Sequence, residues 1–264
     1  MAPIIKTEAI VLRTRNLRDS SKIAVTFSEQ YGKLDSVARG VRRTKSRFGA
    51  SLEPLTHCYL VIYHRRDRTL HTISEATIIH SFQHLRSWLP GISYGSAVIE
   101  SLDRSTGSED PNRHLFDLAV KTLEEMDASE SEAALATIFW AYLLRLLGLV
   151  GYAPRLRKCV VCGSTAEPSG FDIPRGGILC PRCAPLSDYS LAMNDTLRTF
   201  VLRLQSAPLA ELRLKPARST ALSEVSLLID RFFSFHLGGP AILNALEFHR
   251  RTIGTAPPNC PGAT

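Results

Sequence analysis

Residues 22–39 read KIAVTFSEQYGKLDSVAR, and this stretch decides the fold of the N-terminal part. Apolar side chains at Ile23, Val25 and Phe27 alternate with small or polar ones, which is the period of a half-buried strand. The sequence Tyr31-Gly32-Lys33 is typical of a hairpin turn and leads into a further strand. The stretch therefore predicts two paired strands with Phe27 in the core.

Three more strands are predicted around this hairpin. Residues 4–14 are rich in β-branched side chains, and residues 58–63 (CYLVIY) and 69–74 flank a charged turn. Five short strands within about eighty residues favour a small closed barrel. We expect this barrel to occupy residues 1–80.

The pattern changes to helices from about residue 78. Helical spacing predicts helices over residues 114–126 and 217–237, and Asn194 is a candidate N-cap for another helix. Residues 133–150 (AALATIFWAYLLRLLGLV) are long and apolar enough to cross a bilayer, but Arg145 near their middle favours a buried core helix. The chain is thus predicted to be α+β, with a helical domain at 81–251 and a disordered tail at 252–264.

All of the net charge lies in the first 48 residues. Eleven lysines and arginines against four acids give them +7, whereas residues 49–264 hold 21 basic and 21 acidic residues. The densest run, Arg39 to Arg47, predicts a loop that neutralises phosphates with little base selectivity. Tyr31 and Phe48 are equally compatible with stacking on bases and with the core. A basic end that only keeps the protein in solution is the plainer alternative.

Four of the six cysteines form two CxxC pairs. The ligands Cys159, Cys162, Cys180 and Cys183 have the spacing of a four-cysteine zinc site. Four cysteines close the coordination shell, so one structural Zn²⁺ within a segment at 155–188 is expected, rather than a catalytic ion. Two disulfides or four unligated thiols remain the alternatives.

The sequence lacks the motifs that define several classes of enzyme and binding protein. The sequence contains no GxxxxGK[ST], no GxGxxG and no HxE, so nucleotide, dinucleotide and zinc-deaminase sites are not expected. The opening MAPIIKTEAIVLR has no apolar run of signal-peptide length, which predicts a cytoplasmic protein without a membrane partner. A zinc-ribbon nuclease or ligase-like enzyme is the first alternative, and a scaffold for an acidic protein is the second.

Two stretches resemble the RecO family of bacterial recombination-repair mediators. Residues 8–56 are similar to the opening strand, the second strand, the YGK turn and the ARGxRR…SRF loop of that family, and CVVCG…FDIPRGGILCPRC at 159–183 resembles its zinc-bearing segment. The resemblance implies an N-terminal five-stranded OB-fold and a helical domain that carries the zinc site.

The resemblance also implies a function without bond-making chemistry. RecO proteins bind single- and double-stranded DNA and anneal complementary strands. They are cytoplasmic and associate with the nucleoid. They work with RecR, often with RecF, and with the C-terminal tail of single-strand-binding protein, and they help to load RecA. Carried over by position, the implied DNA contacts are Arg13, Arg15, Lys33, Arg39, Arg42, Arg43, Lys45 and Arg47.

Overall fold

The computed structural model describes residues 3–17, 19–41, 46, 48–64, 69–238 and 244–252. Five strands form a closed barrel in the order β1-β2-β3-β5-β4, which confirms the predicted OB-type barrel. Strand β3 pairs with β5 in parallel, and the other pairs are antiparallel. The strands are β1 (Ile4–Leu17), β2 (Ser21–Ser28), β3 (Gly32–Ala38), β4 (His57–Tyr63) and β5 (Leu70–His80).

Strand β2 is buried on both faces. Leu34 and Leu60 fill the barrel interior, whereas Val25 and Phe27 on the outer face pack into the core of the helical part. Phe27 is fully buried, as predicted, but the alternation that marks it faces the helices rather than the barrel interior. Phe48, which the sequence left open, lies in the barrel core with 3% exposure.

Eight helices and a small sheet follow the barrel in the described residues. The sheet, in the order β7-β6-β8, and the short helix α6 were not predicted. The helices are α1 (Gln83–Arg86), α2 (Leu89–Ser105), α3 (Arg113–Asp127), α4 (Glu132–Leu149), α5 (Asp195–Ser206), α6 (Leu209–Leu214), α7 (Ser219–Leu237) and α8 (Asn244–Thr252). The sheet strands are β6 (Gly170–Asp172), β7 (Gly177–Leu179) and β8 (Ser190–Ala192). Asn194 caps α5 by accepting a hydrogen bond from the Leu197 N–H at 2.7 Å, as predicted.

Helix α4 is the core of the helical part. It is the one helix among the described residues that is long and apolar enough to span a membrane, but most of its side chains are buried against α2, α3, α5, α6 and α7. Arg145 donates hydrogen bonds to the carbonyls of Leu204 and Ala207, so its charge is satisfied inside the fold. The predicted tail begins at Thr252, the last residue of α8, and residues 253–264 lie outside the described part.

Arg86 fixes the helices to the barrel. Its guanidinium donates to the carbonyls of Pro54 and Leu55 at 2.6 and 2.7 Å and to that of Ser81 at 2.7 Å. Leu55 and Phe82 both have positive φ, 63° and 50°, which few non-glycine residues adopt. The Arg86 side chain therefore holds two unusual turns where the chain passes from barrel to helices.

His57 makes the stability of this junction depend on pH. Its Nε2 lies 3.0 Å from Glu8 Oε2, and its ring meets Phe116 edge-on. Burial lowers the pKa of His57 from 6.5, although the neighbouring Glu8 partly opposes the shift. Since the folded pKa lies below the unfolded one, the unfolded chain takes up this proton first, and the contribution to stability is lost as pH falls below about 6.5.

We therefore expect the free energy of unfolding to fall between about pH 7.5 and about pH 5.5. A His57→Gln variant should show a shallower fall, because it removes one of the groups that bind a proton on unfolding. Urea titrations of both proteins at the two pH values measure this difference. His84→Gln is the control, since His84 is an exposed histidine whose Nε2 donates a hydrogen bond to the Ser129 carbonyl. Equal pH dependence in the wild type and His57→Gln would contradict the assignment.

Candidate nucleic-acid interface and metal centre

The four predicted metal ligands lie together. Their Sγ atoms are all within 4.8 Å of one another, and the sulfurs of Cys162 and Cys180 are 3.7 Å apart. Two ligands on one tetrahedral zinc with Zn–S bonds of about 2.3 Å are about 3.8 Å apart. All four are free thiols, so the two-disulfide alternative is wrong. The arrangement can hold one metal ion.

Each CxxC pair forms a tight turn. The Gly163 N–H donates to the Cys159 carbonyl at 2.9 Å, and Gly163 has a φ of 73°, which favours glycine. In the second turn, the N–H groups of Cys183 and Ala184 both donate to the Cys180 carbonyl at 3.0 Å. These turns point both sulfurs of a pair to the same side, as a shared metal ion requires.

The thiols differ in acidity. Burial opposes ionisation of Cys159, but hydrogen bonds from the backbones of Cys162, Cys180 and Val161 outweigh it and lower its pKa to about 6. Burial and the neighbouring thiols raise the pKa of Cys183 to about 12, because a second thiolate close to the first is unfavourable. A divalent cation among the sulfurs would remove that repulsion, and soft thiolates suit zinc.

A buried carboxylate that the sequence did not reveal supports the cysteine segment. Asp172 in β6 is fully buried and accepts hydrogen bonds from the Arg175 N–H at 2.7 Å and from Ser187 Oγ at 2.9 Å. The Arg175 guanidinium donates to the same carboxylate at 2.9 Å. Burial opposes ionisation, but these hydrogen bonds prevail and hold the pKa of Asp172 below its usual range. The only sequence feature that could have pointed to Asp172 is its position in the FDIPRGG stretch.

Two of the predicted DNA contacts form ion pairs with an acidic residue of the protein, although the Arg13 side chain is still 55% exposed. Arg13 Nε lies 2.7 Å from Asp103 Oδ2, and Lys33 Nζ lies 3.1 Å from Asp103 Oδ1 and 2.8 Å from the Asp103 carbonyl oxygen. Lys33 has a side chain only 18% exposed. Both cations thus help to hold α2 against the barrel. No sequence pattern predicted Asp103 as their partner, because it lies far along the chain in a helix.

Two other predicted contacts are exposed at one end of the barrel. Arg15 in β1 and Arg39, directly after β3, are solvent-exposed and form no ion pair with a described residue. Both lie near the end where β1 pairs with Ser21–Ile23 of β2, which in turn pairs with Val37 and Ala38. Lys33 lies six residues before Arg39, about 20 Å away along β3 at about 3.3 Å per residue.

The rest of the predicted contacts follow Arg39. We call residues 39–47 the exit segment, because in the sequence they connect the end of β3 to Phe48. Its basic positions Arg42, Arg43, Lys45 and Arg47 lie outside the described residues. The chain returns with Phe48 in the barrel core, so both ends of the exit segment are attached to the barrel.

Known proteins match both halves of this architecture. Residues 1–82 match the family described as "Recombination protein O N terminal", and residues 86–242 match the one described as "Recombination protein O C terminal". The chain belongs to the RecO family. The first match covers the barrel, and the second covers the helices with the cysteine segment, so the resemblance read from the sequence is confirmed.

Individual RecO proteins are similar over more than three quarters of the chain. The DNA repair protein RecO of Alkaliphilus metalliredigens is 30% identical over 252 residues, which cover 94% of this chain and 99% of that protein. That of Salinibacter ruber is 35% identical over 216 residues, or 78% and 82%. That of a Roseiflexus species is 31% identical over 268 residues, or 99% and 91%. The chain is therefore a DNA repair protein of the RecO family.

Proposed function

We propose that this RecO protein binds single- and double-stranded DNA at the end of the barrel that carries Arg15, Arg39 and the exit segment. The observation that carries the proposal is that Arg15 and Arg39 are exposed and have no acidic partner among the described residues. Arg13 and Lys33, in contrast, each form an ion pair with an acidic residue. Arginine forks suit phosphate oxygens. Arg15, Arg39 and the exit segment all belong to the first 48 residues, which carry the chain's net charge of +7.

The binding is expected to be largely independent of base sequence. Phosphate contacts position a protein on DNA and supply affinity, but they carry little base information. Phe27 and Phe48 are buried, and Tyr31 is half-buried against the barrel core, so these side chains do not offer an open stacking platform. The interface therefore acts mainly through charge.

Annealing follows from the same surface. Two DNA strands repel each other through their phosphates, and a basic surface that holds both lowers this repulsion while the bases stay free to pair. No bond is made or broken in the DNA, so we propose no enzymatic role. A structural Zn²⁺ on Cys159, Cys162, Cys180 and Cys183 would hold the cysteine segment in place and would supply no chemistry to the DNA.

The cellular role rests on membership of the family. We propose that the protein acts in the cytoplasm at the nucleoid with RecR, often with RecF, and helps to load RecA onto DNA coated by single-strand-binding protein. The C-terminal tail of single-strand-binding protein is the expected partner of the helical part. Family membership supports these partners, and binding assays with each purified protein would test them.

A double variant at the barrel end tests the DNA interface. Replacing Arg15 and Arg39 by alanine should lower the salt dependence of single-strand binding by about 0.7 in log–log slope for each lost phosphate contact. Lys121→Ala with Arg218→Ala is the charge-matched control, since both residues are exposed on the helical part. An unchanged slope in the Arg15 and Arg39 variant would remove this end of the barrel from the interface.

The same samples test the enzymatic alternative. Incubation of labelled single- and double-stranded DNA with the protein and Mg²⁺ should leave both substrates intact, because annealing needs no bond cleavage. Cleavage that persists through purification and disappears on chelation would favour a metal-dependent nuclease instead.

A further inference from the structure

A second group of side chains of metal-ligand type, two histidines and a glutamate, lies where the barrel meets the helical part. His64 follows β4, His71 lies in β5, and Glu109 belongs to the connection between α2 and α3. One nitrogen of each histidine and an oxygen of the carboxylate are all within 4.8 Å of one another. We call these three residues the junction cluster. It has no part in the proposed DNA interface or in the cysteine site.

The distances suit one small divalent ion. His71 Nε2 lies 3.1 Å from Glu109 Oε1, and His64 Nε2 lies 3.6 Å from Glu109 Oε2. Each value is close to the separation of about 3.3 Å expected between two ligand atoms on a tetrahedral zinc with bonds of about 2.0–2.1 Å, and an ion would draw one of the two oxygens toward both imidazoles. The carboxylate thus presents one oxygen to each imidazole.

The imidazole rings of His64 and His71 are stacked, so binding of an ion requires one ring to change its orientation. Their centroids are 4.3 Å apart and their planes differ by 20°, so His64 must turn partly out of the stack for both lone pairs to meet at one point. The His71 side chain is fully buried, whereas that of His64 is 16% exposed and that of Glu109 is 44% exposed. The Tyr31 ring lies on His64 at a centroid distance of 6.1 Å, and the Glu109 side of the cluster is open to water.

The backbone holds Glu109 in position at a cost. Glu109 has a φ of 52°, in the left-handed region that non-glycine residues rarely adopt, and its N–H donates to the Lys33 carbonyl at 2.9 Å. Gly32 lets the connection approach closely, because a Cβ at that position would overlap the backbone of Asp110. Non-glycine residues in this conformation cluster at binding sites.

We propose that His64, His71 and Glu109 bind a divalent transition-metal ion, zinc in the first instance. Two imidazoles and a carboxylate are a ligand set for Zn²⁺, Co²⁺ or Ni²⁺ rather than for Mg²⁺, which prefers oxygen ligands alone. Three protein ligands leave a fourth position for water. The ion would connect β4 and β5 to the α2–α3 connection and so join the barrel to the helical part. It differs from the closed cysteine site in both ligand type and openness.

Metal titration of the full-length protein tests this proposal. The protein must carry no histidine tag and is first brought to one tightly bound equivalent of zinc, so that the cysteine site is filled. Isothermal titration with Zn²⁺ should then reveal a second, weaker equivalent in the wild type. That equivalent should weaken at about pH 5.5, because histidine must lose its proton to bind a metal.

Two ligand variants assign the second equivalent to the junction cluster. His64→Ala and Glu109→Gln change partly exposed side chains and should each weaken it by about tenfold or more. His114→Ala removes an exposed histidine of α3 and should leave it unchanged. Thermal unfolding with and without added Zn²⁺ gives a second readout, in which the wild type gains more than either variant. Absence of a second equivalent from the wild type, or its survival in Glu109→Gln, would show that the cluster is only hydrogen-bonded and would overturn the proposal.

Discussion

Loss of DNA binding is the expected result of removing the four charges that follow Arg39 in the exit segment. The variant carries alanine at Arg42, Arg43, Lys45 and Arg47. If each residue neutralises one phosphate, the log–log salt slope for single strands should fall by about 0.7 per contact, or about 3 in total. The affinity at moderate salt should fall by about two orders of magnitude or more. Fluorescence anisotropy at a series of salt concentrations measures both quantities.

The control for this variant removes the same charge elsewhere. It carries alanine at Lys121, Lys215, Arg218 and Arg231, which are all exposed on the helical part. Both quadruple variants have the same net charge, so a general electrostatic attraction would affect them equally. A similar loss in the control would show that the chain's overall charge, and not the exit segment, determines binding.

Removal of the metal should destabilise the segment around the four cysteines by several kcal/mol. Cys180→Ser takes away one soft ligand, so that three thiolates remain where a closed zinc site has four. In isolated zinc-finger peptides, the binding of Zn²⁺ contributes about 10–16 kcal/mol, and this contribution is lost when the metal is removed. A smaller loss is expected here, because Phe171 of β6 still packs edge-on against Phe232 of α7 at a centroid distance of 5.6 Å.

Metal analysis together with thermal unfolding measures this loss. Cys180→Ser should lose the tightly bound equivalent and melt at a lower temperature, whereas its DNA affinity should change little because the buried cluster around the cysteines contains no side chain of the barrel. Cys58→Ala is the control, since Cys58 is a buried thiol of the barrel and should leave the metal content unchanged. If Cys180→Ser keeps its metal and its melting temperature, the cysteines do not form a structural site.

The sequence predicts the barrel well where side chains alternate along a strand, as the apolar residues of β2 do and as buried and partly exposed residues do in β3. The prediction fails where no such alternation is present. Strand β5 continues to His80, beyond the predicted end at Ser74, because Glu75 to Ile78 pair with β4 although most of them are exposed and do not alternate. The strands β6 to β8 have three residues each, too few to show a period.

The candidate site is predictable only where local spacing determines it. The CxxC pairs are recognisable because each pair forms its own turn, and the metal cluster follows from the two pairs. The sequence does not show that Arg15 is exposed while Arg13 forms an ion pair. Asp103, the partner of Arg13, lies 90 positions away along the chain. The junction cluster escaped for the same reason, since Glu109 meets His64 and His71 only after α2 has packed on the barrel.

The most direct test of the account is the annealing of complementary single strands by the purified protein. Both strands are used without single-strand-binding protein, so that only contacts to DNA are tested, and duplex formation is followed by energy transfer between labelled ends. The account predicts that the wild type and the helical-part control variant speed annealing equally, and that the exit-segment variant does not. Equal annealing by the exit-segment variant, or none by the wild type, would contradict it.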